Sequence, residues 1–81
     1  MTLNSNEALY QYLNNYHHMS TTQLLMCMEK LAHANLSTVP TEYKNQLSIH
    51  LDENNANADL FYPKEVANQI HRLARDIQIK L

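Results

Sequence analysis

The chain has 81 residues, one cysteine, no glycine and a formal charge of −2, with 44% hydrophobic and 17% charged residues. This composition fits a single helical domain over residues 1–81 rather than a disordered chain, and the charge is too mild to imply a partner class. Without glycine, a P-loop, a dinucleotide-binding turn and an EF-hand loop are excluded, because each needs positive φ or close backbone approach.

Two-residue hairpins also want glycine, so the punctuation favours helices. Ten asparagines are the next best residues at left-handed positions and are expected to end helices. Cys27 alone permits no internal disulfide and fits a reducing compartment. The opening "MTLNSNEALYQYLNN" lacks the basic and apolar regions of a secretory signal. The longest apolar run, Leu24 to Met28, is five residues, far below a membrane span. A cytoplasmic location with no membrane contact is expected.

Four helices are predicted. The first is capped by Asn4 or Ser5, and Asn4 with Glu7 has capping-box spacing. Leu9, Tyr12, Leu13 and Tyr16 form its apolar face, and it stops near "NNYHHM". The second opens at "STTQ", where Ser20 caps and Gln23 answers three residues later. Leu24, Leu25, Cys27, Met28, Leu31 and Ala32 cover about half of its circumference at 100° per residue, which suits a central element. Asn35 is its expected stop.

The third opens at "STVPTEYK", with Thr38 as cap and Pro40 in the first turn. Val39, Tyr43, Leu47 and Leu51 give it a narrower stripe. The polar, aperiodic "DENNANAD" then reads as a loop, making the connection from about Asp52 to Tyr62 eleven residues long. The fourth helix runs from Pro63 to about Lys80, with Val66, Ile70, Leu73, Ile77 and Leu81 on one face. Short connections and four stripes predict an all-α fold, a small antiparallel helical bundle. Its expected core is Leu9, Leu13, Tyr16, Leu24, Met28, Leu31, Tyr43, Leu47, Val66, Ile70, Leu73 and Ile77.

No arrangement for chemistry stands out, so the chain is not expected to be an enzyme or to carry a cofactor. Cys27 sits mid-helix on the apolar side, where a thiol behaves as a small hydrophobe. Among the five histidines, only Glu29 with His33 and His50 with Glu53 have helical ligand spacing. Neither pair is a known zinc signature, and no metal is expected. A nucleophile elbow of the G-x-S-x-G kind is impossible without glycine. Tyr12 and Tyr16 flank the Leu9/Leu13 stripe and belong to the core. Tyr10 points away, but the first helix has no cation to neutralise phosphate.

Residues 59–81, "DLFYPKEVANQIHRLARDIQIKL", hold four of the six basic residues, Lys64, Arg72, Arg75 and Lys80. With Val66 at zero on a helical wheel, Lys64, Asn68, His71, Arg72 and Arg75 fall on the opposite side, between about 140° and 240°. The plain explanation is a solvated helix face on which Arg72 pairs with Asp76 at i, i+4. The functional alternative is a docking face for an acidic protein surface, and these five residues are the expected partner-binding set. Nucleic acid is a second possibility, a helix-turn-helix, but its turn is normally about three or four residues. Met26 and Ile79 fall near the polar sides of their helices and point to a possible homodimer. The chain therefore reads as a small regulatory interaction protein, an inhibitor, immunity or antitoxin-like module, with a small DNA-binding regulator as the alternative.

Overall fold

The computed structural model describes residues 5–81. Four α-helices follow in order, α1 (Ser5–Asn15), α2 (Thr21–His33), α3 (Thr41–Phe61) and α4 (Lys64–Gln78), with a 3₁₀ turn at Tyr16–His18 after α1. There is no strand among the described residues. This is the small all-α bundle that the stripes predict. α2 packs on α1 and α4, α3 packs closely on α4, and α1 touches α3 more lightly.

The start of α2 is as expected. Ser20 Oγ accepts from Gln23 N–H at 3.2 Å, and Gln23 Oε1 accepts from Ser20 N–H at 3.3 Å. Two of the four amides that no helical turn can satisfy are thereby paired. The cap expected at Asn4 or Ser5 lies outside the described residues and side chains. Thr38 does not cap α3. The helix begins at Thr41, with Pro40 as its N-cap and no side-chain cap, and Pro40 O accepts from Tyr43 and Lys44 N–H.

The largest correction concerns "DENNANAD", which is helix throughout. α3 is 21 residues long, and Leu47, Leu51, Asn54 and Ala58 are its buried residues. Their 4-3-4 spacing continues the helical stripe, with Asn54 where an apolar residue would be expected. Asn54 Nδ2 donates to Tyr12 Oη at 3.1 Å and approaches Met28 Sδ at 3.7 Å. Burial of an amide is tolerable because it is bonded. The α3–α4 connection is therefore only Tyr62 and Pro63, not eleven residues.

The asparagines do not work as left-handed stops, since no described residue has positive φ. Met19, Ala34 and Tyr62 end their helices in extended backbone instead. Tyr62 precedes a proline, and the proline ring disfavours helical ψ at the residue before it.

Eleven of the twelve expected core residues are buried or packed against the core at its edge, Leu13 and Val66 being the edge residues. Tyr43 is only half-buried and lies edge-to-face against Tyr10, with ring centroids 5.9 Å apart. Leu36, in the α2–α3 connection, is buried although no helical period marks it. Ala8, Ala58, Ala67 and Ala74 are buried as well.

Candidate functional site

Four of the five expected partner-binding residues line one open groove of about 730 Å³ between α3 and α4. Asn68, His71, Arg72 and Arg75 come from α4, and Asp52 and Asn55 face them from α3. Lys64 is exposed at the start of α4, outside the groove. The wheel places these side chains away from Ile70, Leu73 and Ile77, which are buried.

α3 supplies the other wall because Ser48, Asp52, Asn55 and Asp59 repeat the 4-3-4 spacing one residue on from the core stripe. Gln78 on α4 answers the first two. Its Nε2 donates to Asp52 Oδ1 at 2.9 Å and to Ser48 O at 3.2 Å, and its Oε1 accepts from Ser48 Oγ at 3.0 Å. His71 answers the other two. Its Nδ1 faces Asn55 Oδ1, and its Nε2 faces the Asp59 carboxylate at 3.1 and 3.2 Å. A neutral imidazole has one N–H, so donating both bonds at once takes the imidazolium form.

The cations differ in how committed they are. Arg72 Nη2 lies 3.9 Å from Glu29 Oε1 on α2, and not on Asp76, the partner its helical spacing suggests. Both side chains are exposed, and such a pair contributes about 0–1 kcal/mol. Arg75 and Lys64 make no ion pair among the described residues. Lys80 is wholly engaged. Its Nζ donates to the carbonyls of Leu31, Ala32 and Ala34 at 2.7, 2.7 and 2.6 Å. Three donated bonds require the ammonium, placed where the C-terminal end of α2 leaves carbonyls unpaired. Burial lowers the Lys80 pKa, and the nearby Asp76 charge opposes that shift.

Elsewhere, Cys27 is buried, donates to Ala8 O at 3.0 Å and has its pKa pushed up to about 11, chiefly by burial. It is poorly placed to act as a thiolate nucleophile. His33 lies 3.5 Å from Glu29 as its spacing predicts, whereas Glu53 meets His17 at 3.5 Å rather than His50. No group of three or more His, Cys, Asp or Glu among the described residues could hold a metal. No helix among them is long and apolar enough to cross a membrane. Tyr16 stacks on Tyr12 at 5.2 Å, and burial raises both phenols, with Glu53 adding to the rise at Tyr16.

Periodicity could not reveal the α3 wall, because Asp52, Asn55 and Asp59 all fell in the segment read as a loop. The role of Lys80 has no sequence signal, since it depends on a contact with Leu31, 49 positions away. Fold and groove together define a small all-α bundle with a polar, cation-rimmed interhelical groove. No family model, curated protein or solved structure matches the chain.

Proposed function

We propose that the chain is a small regulatory interaction protein, an inhibitor, immunity or antitoxin-like module, that binds another protein through the outer face of α4. The supporting observation is Arg75 beside Arg72 on the rim of the α3–α4 groove, both exposed, with Arg75 free of any ion pair among the described residues. Guanidinium groups held on a helix suit bidentate recognition of carboxylates, and Lys64 extends the positive face. The Ser48–Gln78 and Asn55–His71–Asp59 contacts tie the two walls together, so a partner would meet a largely preformed surface. The reading invokes no catalysis, metal or cofactor, and a cytoplasmic setting is the natural one for it.

A DNA-binding regulator is the second reading. The two-residue α3–α4 connection favours it, because α4 then follows α3 directly as a recognition helix follows its partner. The formal charge of −2 counts against it, since nucleic-acid binders usually carry a basic footprint. The exposed Met26 and Ile79 leave a homodimer as part of either reading.

The test is capture of partners by the full chain from native lysate, with and without nuclease, comparing wild type with Arg72→Glu/Arg75→Glu. A protein retained after nuclease and lost with the double variant supports the main reading. Recovery that depends on nucleic acid supports the second. A partner retained equally by both forms overturns the α4 face as the binding surface.

A further inference from the structure

The outer face of α3 is a second surface, opposite in sign to α4. Beyond its core stripe and its α4-facing stripe, α3 carries a third 4-3-4 series, Ile49, Glu53, Ala56 and Leu60, that faces solvent. Ile49 is 64% exposed, Leu60 75% and the neighbouring Phe61 74%. On a wheel Ile49, Ala56 and Leu60 fall within about 40° of one another. They span about 16 Å at 1.5 Å per residue. Single exposed apolar residues are normal, but a row aligned along one helix is a contact surface in form. Ala56 lies between Ile49 and Leu60, exposed and small, and allows another helix to approach closely.

The charges around this row favour one kind of occupant. α3 holds Glu42, Asp52, Glu53 and Asp59, half of the eight acids in the chain, and Lys44 is its only lysine or arginine. Glu53 falls within the row, Asp52 and Asp59 lie about 60–80° to one side, and Lys44 is about 140° round the helix. A second copy meeting this face with the same face would set carboxylates against carboxylates, and nucleic acid or an anionic membrane would be repelled.

At the C-terminal end of the row is a pocket of about 330 Å³ lined by Tyr16, His17, Asn54, Asn57, Phe61 and Tyr62. Phe61, 74% exposed, and the half-buried Tyr62 bring aromatic rings to it, Tyr16 being covered by Tyr12 and His17, and the Glu53 carboxylate stands against its His17 wall at 3.5 Å. Ring faces beside a carboxylate attract an ammonium or guanidinium group.

We propose that the outer face of α3 docks a basic amphipathic helix of a partner protein. Apolar residues of that helix sit along Ile49, Ala56 and Leu60, and one lysine or arginine side chain enters the aromatic pocket beside Glu53. The contact is of the helix-on-groove kind, with an anchor side chain in a pocket. It is independent of the α4 face, which takes the opposite charge.

The test is a titration of the isotope-labelled full chain, followed by amide shifts, with a synthetic helical peptide. The peptide is about 18 residues long, five turns at 3.6 residues per turn, with leucines at i, i+4, i+7 and i+11 flanked by lysine and arginine. A second peptide carries glutamate in place of every cation. Binding of the basic peptide alone is expected, with shifts gathered on Ile49, Glu53, Ala56, Leu60, Phe61 and His17. Glu53→Lys and Leu60→Ser should each weaken it about tenfold or more, as like charge or lost apolar contact demands. Both positions are exposed, so both variants should keep the wild-type fold by circular dichroism, and Arg72→Glu/Arg75→Glu should bind the peptide like wild type. Absence of binding, equal binding of the acidic peptide, or shifts gathered elsewhere overturns the proposal. So does a wild-type dimer in light scattering that Leu60→Ser dissociates, which would assign this face to a second copy.

Discussion

Asn54 is the buried polar side chain of the described core, and its replacement separates two accounts of what it does. Its Nδ2 donates to Tyr12 Oη at 3.1 Å, and Tyr12 is fully buried. Asn54→Ala removes a bond with a net contribution of about 0.5–1.5 kcal/mol and strands a phenol whose desolvation costs about 1–3 kcal/mol. A loss of about 2–4 kcal/mol is expected, a large share of the ~4–12 kcal/mol that ~0.05–0.15 kcal/mol per residue allows a domain of this size. Asn54→Leu fills the space and improves helix propensity by about 0.5 kcal/mol, but still strands Tyr12. It should remain destabilised by about 1–2 kcal/mol. Tyr12→Phe leaves the amide with only Met28 Sδ and should lose about 1–3 kcal/mol. Tyr12→Phe/Asn54→Leu removes both groups and should return to within about 1 kcal/mol of wild type. Urea unfolding followed by circular dichroism gives each value, with an unchanged m-value confirming a common unfolded state. Additive single effects, or an Asn54→Leu variant as stable as wild type, would refute the hydrogen-bond account.

Three further outcomes are expected. Lys80→Met strands the carbonyls of Ala32 and Ala34 and leaves Leu31 O with only Ala34 N–H, and should lower stability by about 1.5–3 kcal/mol, with faster amide exchange in the last turn of α2. At high pH the buried Cys27, Tyr12 and Tyr16 all have folded pKa values raised above their ordinary ones. The unfolded chain then releases these protons first, so their stabilising effect is intact below about pH 9 and is lost as pH rises. For Cys27 alone the rise from 9.0 to about 11 amounts to about 2–3 kcal/mol at ~1.4 kcal/mol per unit, and a melting temperature that holds steady from pH 8 to about pH 11 would contradict it. The Cys27 thiol should react with a disulfide reagent at neutral pH only as fast as the fold opens, and fast second-order labelling of the native protein would refute its burial.

The sequence was most legible where one residue type had one use. Val66, Ile70, Leu73 and Ile77 on α4 lie inward and the cations opposite them, because a lone amphipathic helix against a core has only two sides. Ser20 and Gln23 were legible because both halves of a capping box are local. α3 was not, because it has three environments. Its core stripe ends in Asn54 and Ala58, its α4-facing stripe is Ser48, Asp52, Asn55 and Asp59, and its outer stripe mixes Ile49, Ala56 and Leu60 with Glu53. Apolar residues on both the inner and outer sides cancel the period that marks an amphipathic helix. The candidate site was half-visible for the same reason, with its α4 wall clear and its α3 wall hidden in the segment read as a loop.

That misreading has a common cause with the absence of glycine. Asparagine clusters suggest turns because asparagine tolerates positive φ, and a chain without glycine has no better residue for that role. Here α3 ends differently. Tyr62 is driven to extended backbone by Pro63, and Pro63 O accepts from Ala67 N–H at 2.8 Å in the first turn of α4. With the corner set by proline, the asparagines of α3 are free to act through their side chains. Asn54 bonds Tyr12 of α1, and Asn55 bonds His71 of α4. Adjacent positions differ by about 100° on a helix, so one Asn-Asn dipeptide ties α3 to two neighbours at once. A loop could not hold both contacts in register. Shifting the helix by one residue would turn Asn54 out of the core and bury Asn55 or Glu53 in its place, so the Asn54–Tyr12 bond favours the observed register of α3.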